Sequence, residues 1–203
     1  MLLAEEERTE LLTLLRRLDD AQWTAQSLCA RWSVRDVATH IISYDELSTP
    51  GLLATFLRGG PRVSSVNDVA LKRYGTLEPD AVIDLFSHHL RPHGLAAGFG
   101  GGIALTDGTI HHQDIRRALG LPRTIPADRL VAVLRFALKA PTLPARKNAK
   151  GLRLVATDID WSTGDGPDVS GPAEALLMSM AGRPQPLVEL AGPGVETLRS
   201  RLG

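Results

Sequence analysis

The sequence is poor in cysteine and carries no excess of either charge. Its 203 residues include one cysteine, Cys29, which excludes an internal disulfide and a metal site built of cysteines alone. Lysine and arginine total 23, as do aspartate and glutamate, so the formal net charge is zero. This balance argues against a nucleic-acid surface, which needs a basic excess to neutralise phosphates. No apolar run approaches the roughly 20 residues needed to cross a bilayer.

The N-terminal stretch also lacks the marks of an export signal. MLLAEEERTELL has neither a basic start nor a small-residue cleavage site. The remaining composition, with ample aliphatic residues and few aromatic ones, is typical of a soluble globular protein. We therefore expect a cytoplasmic protein that binds neither membranes nor nucleic acids.

The chain has two parts that differ in their hydrophobic pattern. Up to about residue 145, apolar residues recur at helical spacing between charged ones. After that point, LRLVATDIDWSTGDGPDVSG has short β-type runs and turn signals, PLVELAG follows as a short strand, and two short helices complete the part. We predict a mainly α protein, with a helical domain over residues 1–145 and a small α+β domain over residues 146–203. The helices predicted in the first domain cover residues 2–18, 52–58, 65–75, 76–93, 103–119 and 127–140, with another that begins at Ser33.

The stretch TDGTIHHQDIRRALG, residues 106–120, places polar groups where a helix should face its core. At about 100° per residue, Asp107, His111 and Asp114 fall on the apolar face of this helix. An unpaired buried carboxylate costs several kcal/mol, so such groups are normally paired or bound to metal. Asp107 and His111 are one turn apart and reach the same point beside the helix. Asp114 can accept a hydrogen bond from the other ring nitrogen of His111, as a residue that orients a metal ligand.

His40 is the candidate for a third ligand, because Val37 and Ile41 flank it on its own helix and turn it inward. A carboxylate and a histidine at this spacing also form structural salt bridges, so a metal site and a buried polar network both remain open. Asp36 lies four residues before His40, but its position three residues after Ser33 is that of a capping box.

The remaining cysteine and histidines give weaker signals. Cys29 lies among apolar residues and is interpreted as packing rather than as a nucleophile. His88, His89 and His93 follow the end of a predicted helix and are interpreted as residues of the surface or of the rim of the site. No nucleophile elbow, phosphate loop or dinucleotide fingerprint is present.

Three stretches resemble one known family. QWTAQSLCARWSVRDVATHI, residues 22–41, resembles the N-terminal signature of the DinB-like, mycothiol-dependent maleylpyruvate isomerase family. DGTIHHQDIRRALG resembles its second signature, an acid followed four residues later by histidine and three later by aspartate. The C-terminal part resembles the small second domain of the family. The matching positions are Trp23, Trp32, Ser33, Val34, Asp36, Val37, His40, Asp107, His111, Asp114, Asp158, Trp161, Gly171, Pro172, Gly182 and Arg183.

The resemblance implies a DinB-like four-helix bundle that holds a divalent metal, followed by the small α+β domain. The metal ligands it implies are His40, Asp107 and His111, which the helical faces also select. Zinc is the expected metal, with nickel, iron or manganese as alternatives. The partners implied are mycothiol, as a thiol cosubstrate, and a small electrophile, for isomerisation or transfer of sulfur. Tyr44 and Asn67 are candidates for lining the pocket.

Two points limit what the resemblance implies. The family pattern has glutamate where this chain has the shorter Asp107, which shifts the expected metal position. A substrate-binding arginine in the C-terminal domain is not singled out among Arg183, Arg199 and Arg201. Two other interpretations remain open: a non-catalytic metal-binding bundle that acts as a binding or regulatory module, and a metal-dependent hydrolase.

Overall fold

The structure is a computed structural model that describes residues 1–43, 45 and 77–202. The pocket candidates Tyr44 and Asn67 lie outside the described residues, as do the helices predicted over 52–58 and 65–75. The contacts divide the chain into two compact units, Met1–Arg123 and Thr124–Gly203. No helix among the described residues is long and apolar enough to span a membrane.

The first unit is helical, as the periodicity predicts. Its helix α5 (Gly102–Ala118) packs against α1 (Leu2–Leu15) and α3 (Val34–Ser43), and α3 also packs against α4 (Pro79–His88). These contacts place the face of α5 that carries the polar residues beside the helix that carries His40. The helices are α1 (Leu2–Leu15), α2 (Asp20–Thr24), α3 (Val34–Ser43), α4 (Pro79–His88), a 3-10 turn (Gly98–Gly101) and α5 (Gly102–Ala118).

The helices of this unit bury one apolar cluster. Each fully buried leucine, isoleucine or phenylalanine contributes about 1.5–3 kcal/mol from the removal of its apolar surface from water. The cluster fixes the rotation of α3 and α5, because both helices contribute residues to it, and so determines which residues face each other beside it. Its members include Leu11, Leu15, Val37, Ile41, Ile42, Phe86 and Ile115.

Local signals set the start of α3 and both ends of α5. The side chains of Ser33 and Asp36 form the predicted cap of α3, with Asp36 Oδ2 accepting from the Ser33 backbone N–H at 2.9 Å. Gly101 precedes α5 with φ of +90°, where a Cβ atom would approach the Met1 backbone to 3.1 Å. Gly120, at φ of +66°, follows its end.

The second unit combines short helices with a three-stranded sheet. Its strands are β1 (Arg153–Ala156), β2 (Ser162–Thr163) and β3 (Asp168–Gly171). The strand order is β2-β1-β3, with β1 antiparallel to β2 and parallel to β3, and Leu154 is paired with both Thr163 and Val169. Helix α8 (Ala173–Met180) is buried along most of its length and packs on β1 and β3. The elements are α6 (Ala127–Ala137), α7 (Ala145–Ala149), β1 (Arg153–Ala156), β2 (Ser162–Thr163), β3 (Asp168–Gly171), α8 (Ala173–Met180), a 3-10 helix (Gln185–Glu189) and α9 (Val195–Arg199).

Two features of this unit differ from the predictions. The contacts place the boundary after Arg123 rather than after residue 145, because α6 packs against α8 and so groups with the second unit. PLVELAG is not a strand: it forms the 3-10 helix Gln185–Glu189, and Ala191 makes an isolated bridge with Ser170. A single bridge does not extend the sheet, so the apolar run reflects burial rather than strand pairing.

Candidate metal centre

The structure brings His40, Asp107 and His111 together at the contact between α3 and α5. Nε2 of His40 lies 3.6 Å from Oδ1 of Asp107, and Nε2 of His111 lies 3.5 Å from the same oxygen. The two imidazole rings are 4.9 Å apart between centroids and nearly perpendicular. His40 is buried, whereas the side chain of Asp107 is 38% exposed. Three donor atoms thus converge on one point that is accessible from the Asp107 side.

The separations among these donors fit a bound transition metal. Bonds of about 2.0–2.2 Å at tetrahedral angles separate two ligand atoms by about 3.4 Å. The distances from Asp107 Oδ1 to the two nitrogens are 3.5 and 3.6 Å, slightly longer than this and longer than a hydrogen bond. Two imidazoles and one carboxylate form the donor set of many catalytic sites that keep an open position. The residues present therefore fit a divalent metal.

Asp114 orients the ring of His111. Its carboxylate is fully buried, and Oδ2 lies 2.9 Å from Nδ1 of His111. This contact fixes the ring so that Nε2 faces Asp107, which is the arrangement in which a carboxylate supports a metal-binding histidine. Asp114 thus contacts the ring nitrogen of His111 that does not face Asp107.

The three residues of the site shift each other's pKa values. Burial alone would raise the pKa of Asp107, but the charges of His111 and His40 outweigh it and lower the pKa to about 2. Burial would lower the pKa of His111, but the attraction of Asp107 and the hydrogen bond that the ring donates to Asp114 raise it to about 10. Burial also lowers the pKa of His40, more than Asp107 raises it. Without a metal, Asp107 is therefore an anion, His111 a cation and His40 a neutral donor near pH 7, and a metal held by Nε2 of His111 would displace the proton of that ring.

The loop before α3 contributes two residues to the surroundings of the site. The ring of Trp32 lies 4.7 Å from that of His40 and 5.9 Å from that of His111, between centroids. Cys29 Sγ lies 3.1 Å from Asp114 Oδ2 and 3.7 Å from His111 Nδ1. Sequence analysis indicates only packing for Cys29, because a contact across 85 residues leaves no signal in local spacing.

A second polar network lies on the opposite side of α5. His112 is completely buried, and its Nδ1 donates to Glu7 Oε1 at 2.8 Å while its Nε2 accepts from Arg116 Nε at 2.8 Å. Arg123 Nη2 donates to the same Glu7 oxygen at 2.7 Å. Burial lowers the pKa of His112 to about 4, although Glu7 opposes this shift. His112 is therefore a neutral residue that joins α1 to α5.

A further group of possible ligands has a structural explanation. Asp45, His89 and His93 lie close enough together to bind an ion. However, the two Asp45 oxygens accept from Arg8 at 3.0 and 2.8 Å, and one also accepts from the His93 backbone N–H at 2.7 Å. Arg8 is buried and also donates to the backbone oxygen of His89. Asp45 is thus paired with Arg8, and the group holds the end of α3 to the segment after α4.

The three arginines considered in the second unit contact other residues of that unit. Arg183 Nη1 donates to the backbone oxygen of Ala181 at 2.8 Å, and Arg199 pairs with Glu196 at 3.1 Å. Arg201 donates to the backbone oxygen of Asn148. These contacts do not single out one of the three for substrate binding.

Comparison with known proteins supports the resemblance inferred from the sequence. Residues 4–91 match the family described as the mycothiol maleylpyruvate isomerase N-terminal domain. The crystal structure of a point mutant of the mycothiol-dependent maleylpyruvate isomerase aligns with a TM-score of 0.54 at 17% identity, covering 94% of this chain and 90% of the other.

A second crystal structure of the mycothiol-dependent maleylpyruvate isomerase aligns with a TM-score of 0.51, again at 17% identity. It covers 89% of this chain and 87% of the other. A search of curated protein sequences found no match. Residues 4–91 thus match the mycothiol maleylpyruvate isomerase N-terminal domain, and the chain has the fold of those isomerase structures.

Proposed function

We propose that this protein is a metal- and thiol-dependent enzyme of the mycothiol-dependent maleylpyruvate isomerase type. In this proposal His40, Asp107 and His111 hold one divalent metal, with zinc the first expectation. The cosubstrate is mycothiol or a similar low-molecular-weight thiol, and the substrate is a small electrophile that is isomerised or that accepts sulfur. The observation that carries the proposal is the convergence of three donor atoms, from two helices, at separations that suit a metal.

The residues of the site have distinct parts in this proposal. A divalent cation supplies positive charge that lowers the pKa of a thiol and polarises an electrophile. Asp107 contributes one negative charge and His40 none, so the ligand set does not cancel the charge of a divalent ion. Asp114 keeps Nε2 of His111 directed at the site, and Trp32 packs against the His40 ring. The exposed part of Asp107 marks where a thiol and an electrophile can approach.

Two other functions use the same site. A metal-dependent hydrolase would use activated water in place of the thiol. A non-catalytic bundle would use the metal for stability or for recognition of a partner. The family match over residues 4–91 favours the thiol-dependent enzyme over both.

Elemental analysis beside thiol-dependent turnover tests the proposal. The purified protein is expected to hold about one equivalent of a transition metal, and the metal-loaded protein to convert maleylpyruvate when mycothiol is present. Turnover that does not change when the thiol is omitted indicates the hydrolase. Bound metal without any turnover favours the non-catalytic bundle. A protein that takes up neither added zinc nor added nickel contradicts the metal site itself.

A further inference from the structure

We propose that the thiol of Cys29 is a positioning group for His111 and acts through the carboxylate of Asp114. This inference rests on the proposed function, because it concerns the orientation of one of the three proposed metal ligands. It assigns a role to the sole cysteine of the chain, which the metal site itself does not use. Cys29 has no contact with a reacting atom in this proposal.

One oxygen of Asp114 joins the two residues. Oδ2 lies 3.1 Å from Sγ of Cys29 and 2.9 Å from Nδ1 of His111. The carboxylate is completely buried, so each hydrogen bond it accepts is made in a medium where it is stronger than in water. The thiol hydrogen and the ring N–H therefore hold the same oxygen from two directions.

The distances identify the thiol as a hydrogen-bond donor rather than as a metal ligand. Zinc–sulfur bonds of about 2.3 Å at tetrahedral angles would separate sulfur from a coordinated oxygen by about 3.5 Å. The observed 3.1 Å between Sγ and Asp114 Oδ2 is shorter than this. The proton of the thiol thus lies between sulfur and oxygen.

The backbone holds Cys29 at this position. The N–H of Leu28 donates to the backbone oxygen of Asp114 at 3.2 Å, so the same residue of α5 anchors the loop twice. Within the loop, the N–H of Trp32 donates to the backbone oxygen of Cys29 at 2.9 Å, and the hydroxyl of Ser27 donates to that of Trp32 at 2.7 Å. Cys29 therefore lies in the same hydrogen-bonded turn as Trp32, whose ring packs against those of His40 and His111.

Loss of the thiol is expected to loosen the ring of His111. Without the S–H donor, Oδ2 of Asp114 has one fewer group fixing its direction, and the carboxylate can turn about its Cα–Cβ and Cβ–Cγ bonds. The hydrogen bond to Nδ1 of His111 then weakens, and Nε2 faces Asp107 for less of the time. Removal of a direct partner of a metal-binding histidine lowers metal affinity about 10- to 100-fold. Cys29 acts one step further away, so we expect a loss of about 3- to 10-fold.

The test compares Cys29→Ser, which keeps a donor, with Cys29→Ala, which removes it. The first measurement is Zn²⁺ affinity by competition with a chromophoric chelator, together with the visible spectrum of the Co²⁺-substituted protein. The second uses the metal-free protein: the hydrogen-bonded Nδ1–H of His111 is followed in ¹⁵N-edited spectra and assigned by its absence from His111→Ala. Thermal unfolding midpoints show whether each variant is folded.

The proposal predicts that Cys29→Ser resembles the wild type in both measurements. Cys29→Ala should bind Zn²⁺ about 3- to 10-fold more weakly and should show a shifted or exchange-broadened Nδ1–H signal. Equal losses in both variants would assign the effect to packing of sulfur and overturn the proposal, as would no loss in either. If the wild type takes up no metal, the proposed function fails, but the spectra of the metal-free variants still decide the role of Cys29.

Discussion

Oδ1 of Asp107 lies 3.5 Å from Nε2 of His111, one helical turn further along α5. A shared helix fixes their separation, but the third donor, on His40, reaches the same oxygen only because α3 packs against α5. The convergence of the three donors thus depends on helix packing. Any change that rotates α3 about its axis should affect metal binding even when all three ligands remain.

Replacement of either histidine is expected to abolish metal binding. His40→Ala and His111→Ala each leave two of three protein ligands, so the metal content of the purified protein should fall from about one equivalent to near zero. His88→Ala is the matched control, because His88 is exposed and its Nδ1 lies 2.7 Å from the backbone oxygen of Asp84, on its own helix. Metal retained in both His40→Ala and His111→Ala would show that the ion binds elsewhere.

Metal affinity should depend on the negative charge of residue 107 more than on the length of its side chain. Asp107→Asn removes the negative charge that attracts the cation. We expect the metal affinity to fall by about 100-fold or more, which corresponds to about 2.8 kcal/mol of binding free energy. Asp107→Glu keeps the charge and matches the family pattern, so one equivalent should still bind. Competition with a chelator measures both. Equal affinity of Asp107→Asn and the wild type would remove Asp107 from the ligand set.

The site could be predicted largely from local spacing. The four-residue separation of Asp107 and His111 and the three-residue step to Asp114 specify one helical face, and the structure brings the side chains together as that face requires. The inward direction of His40 also follows from the apolar residues around it. These inferences succeed because a helix has fixed geometry, so that sequence spacing is equivalent to distance.

The remaining parts of the site depend on contacts that sequence spacing does not encode. Glu7 reaches His112 across 105 residues, and Cys29 reaches Asp114 across 85. The domain boundary differs for the same reason: α6 has ordinary helical periodicity, and only its packing on α8 reveals the unit to which it belongs. Periodicity shows which face of a helix is buried, but not against which partner.

Trp32 should report metal binding by its fluorescence. Its ring lies 4.7 Å from that of His40, so a bound Co²⁺ or Ni²⁺ ion with overlapping absorption should quench its emission. We expect titration with either ion to quench the wild type to a plateau at one equivalent. The quench should be largely lost in Trp32→Phe. Trp23→Phe, which removes another buried tryptophan of the same unit, is the control and should keep the quench. Equal quenching in both variants would contradict the proposed position of the metal.

The buried pair between Arg8 and Asp45 should show strong coupling in a double-mutant cycle. Arg8→Met leaves the Asp45 carboxylate buried without its cation, which costs about 3–5 kcal/mol in the free energy of unfolding. Asp45→Leu leaves the Arg8 guanidinium buried without its anion, and the free energy of unfolding should fall by a similar amount. The double variant should lose less free energy of unfolding than the two single variants lose in sum, because neither charge is left buried without its partner. Urea unfolding of all four proteins measures the coupling, and additive losses would show that the pair does not act as a unit.

The Glu7 network should make the protein sensitive to acid. Burial would raise the pKa of Glu7, but the hydrogen bond from His112 and the charge of Arg123 lower it to about 2. Between about pH 4.5 and 2 the unfolded chain therefore binds a proton at Glu7 that the folded chain does not, so stability falls as pH falls through this range. The pKa of His112 is lowered to about 4. Between about pH 6.5 and 4 the unfolded chain therefore binds a proton at His112 that the folded chain does not, so stability again falls as pH falls.

Glu7→Gln tests this linkage. It removes the carboxylate that pairs with Arg123, so at pH 7 the free energy of unfolding should fall by about 3 kcal/mol. The free energy of unfolding should also depend less steeply on pH below about 4.5, because the Glu7 carboxylate that takes up the proton is gone. Urea unfolding at pH 7, 5 and 3.5 measures both effects. Glu6→Gln, at the adjacent exposed position, is the control and should change stability little. A slope below pH 4.5 that is equally steep in Glu7→Gln and the wild type would show that other carboxylates control acid unfolding.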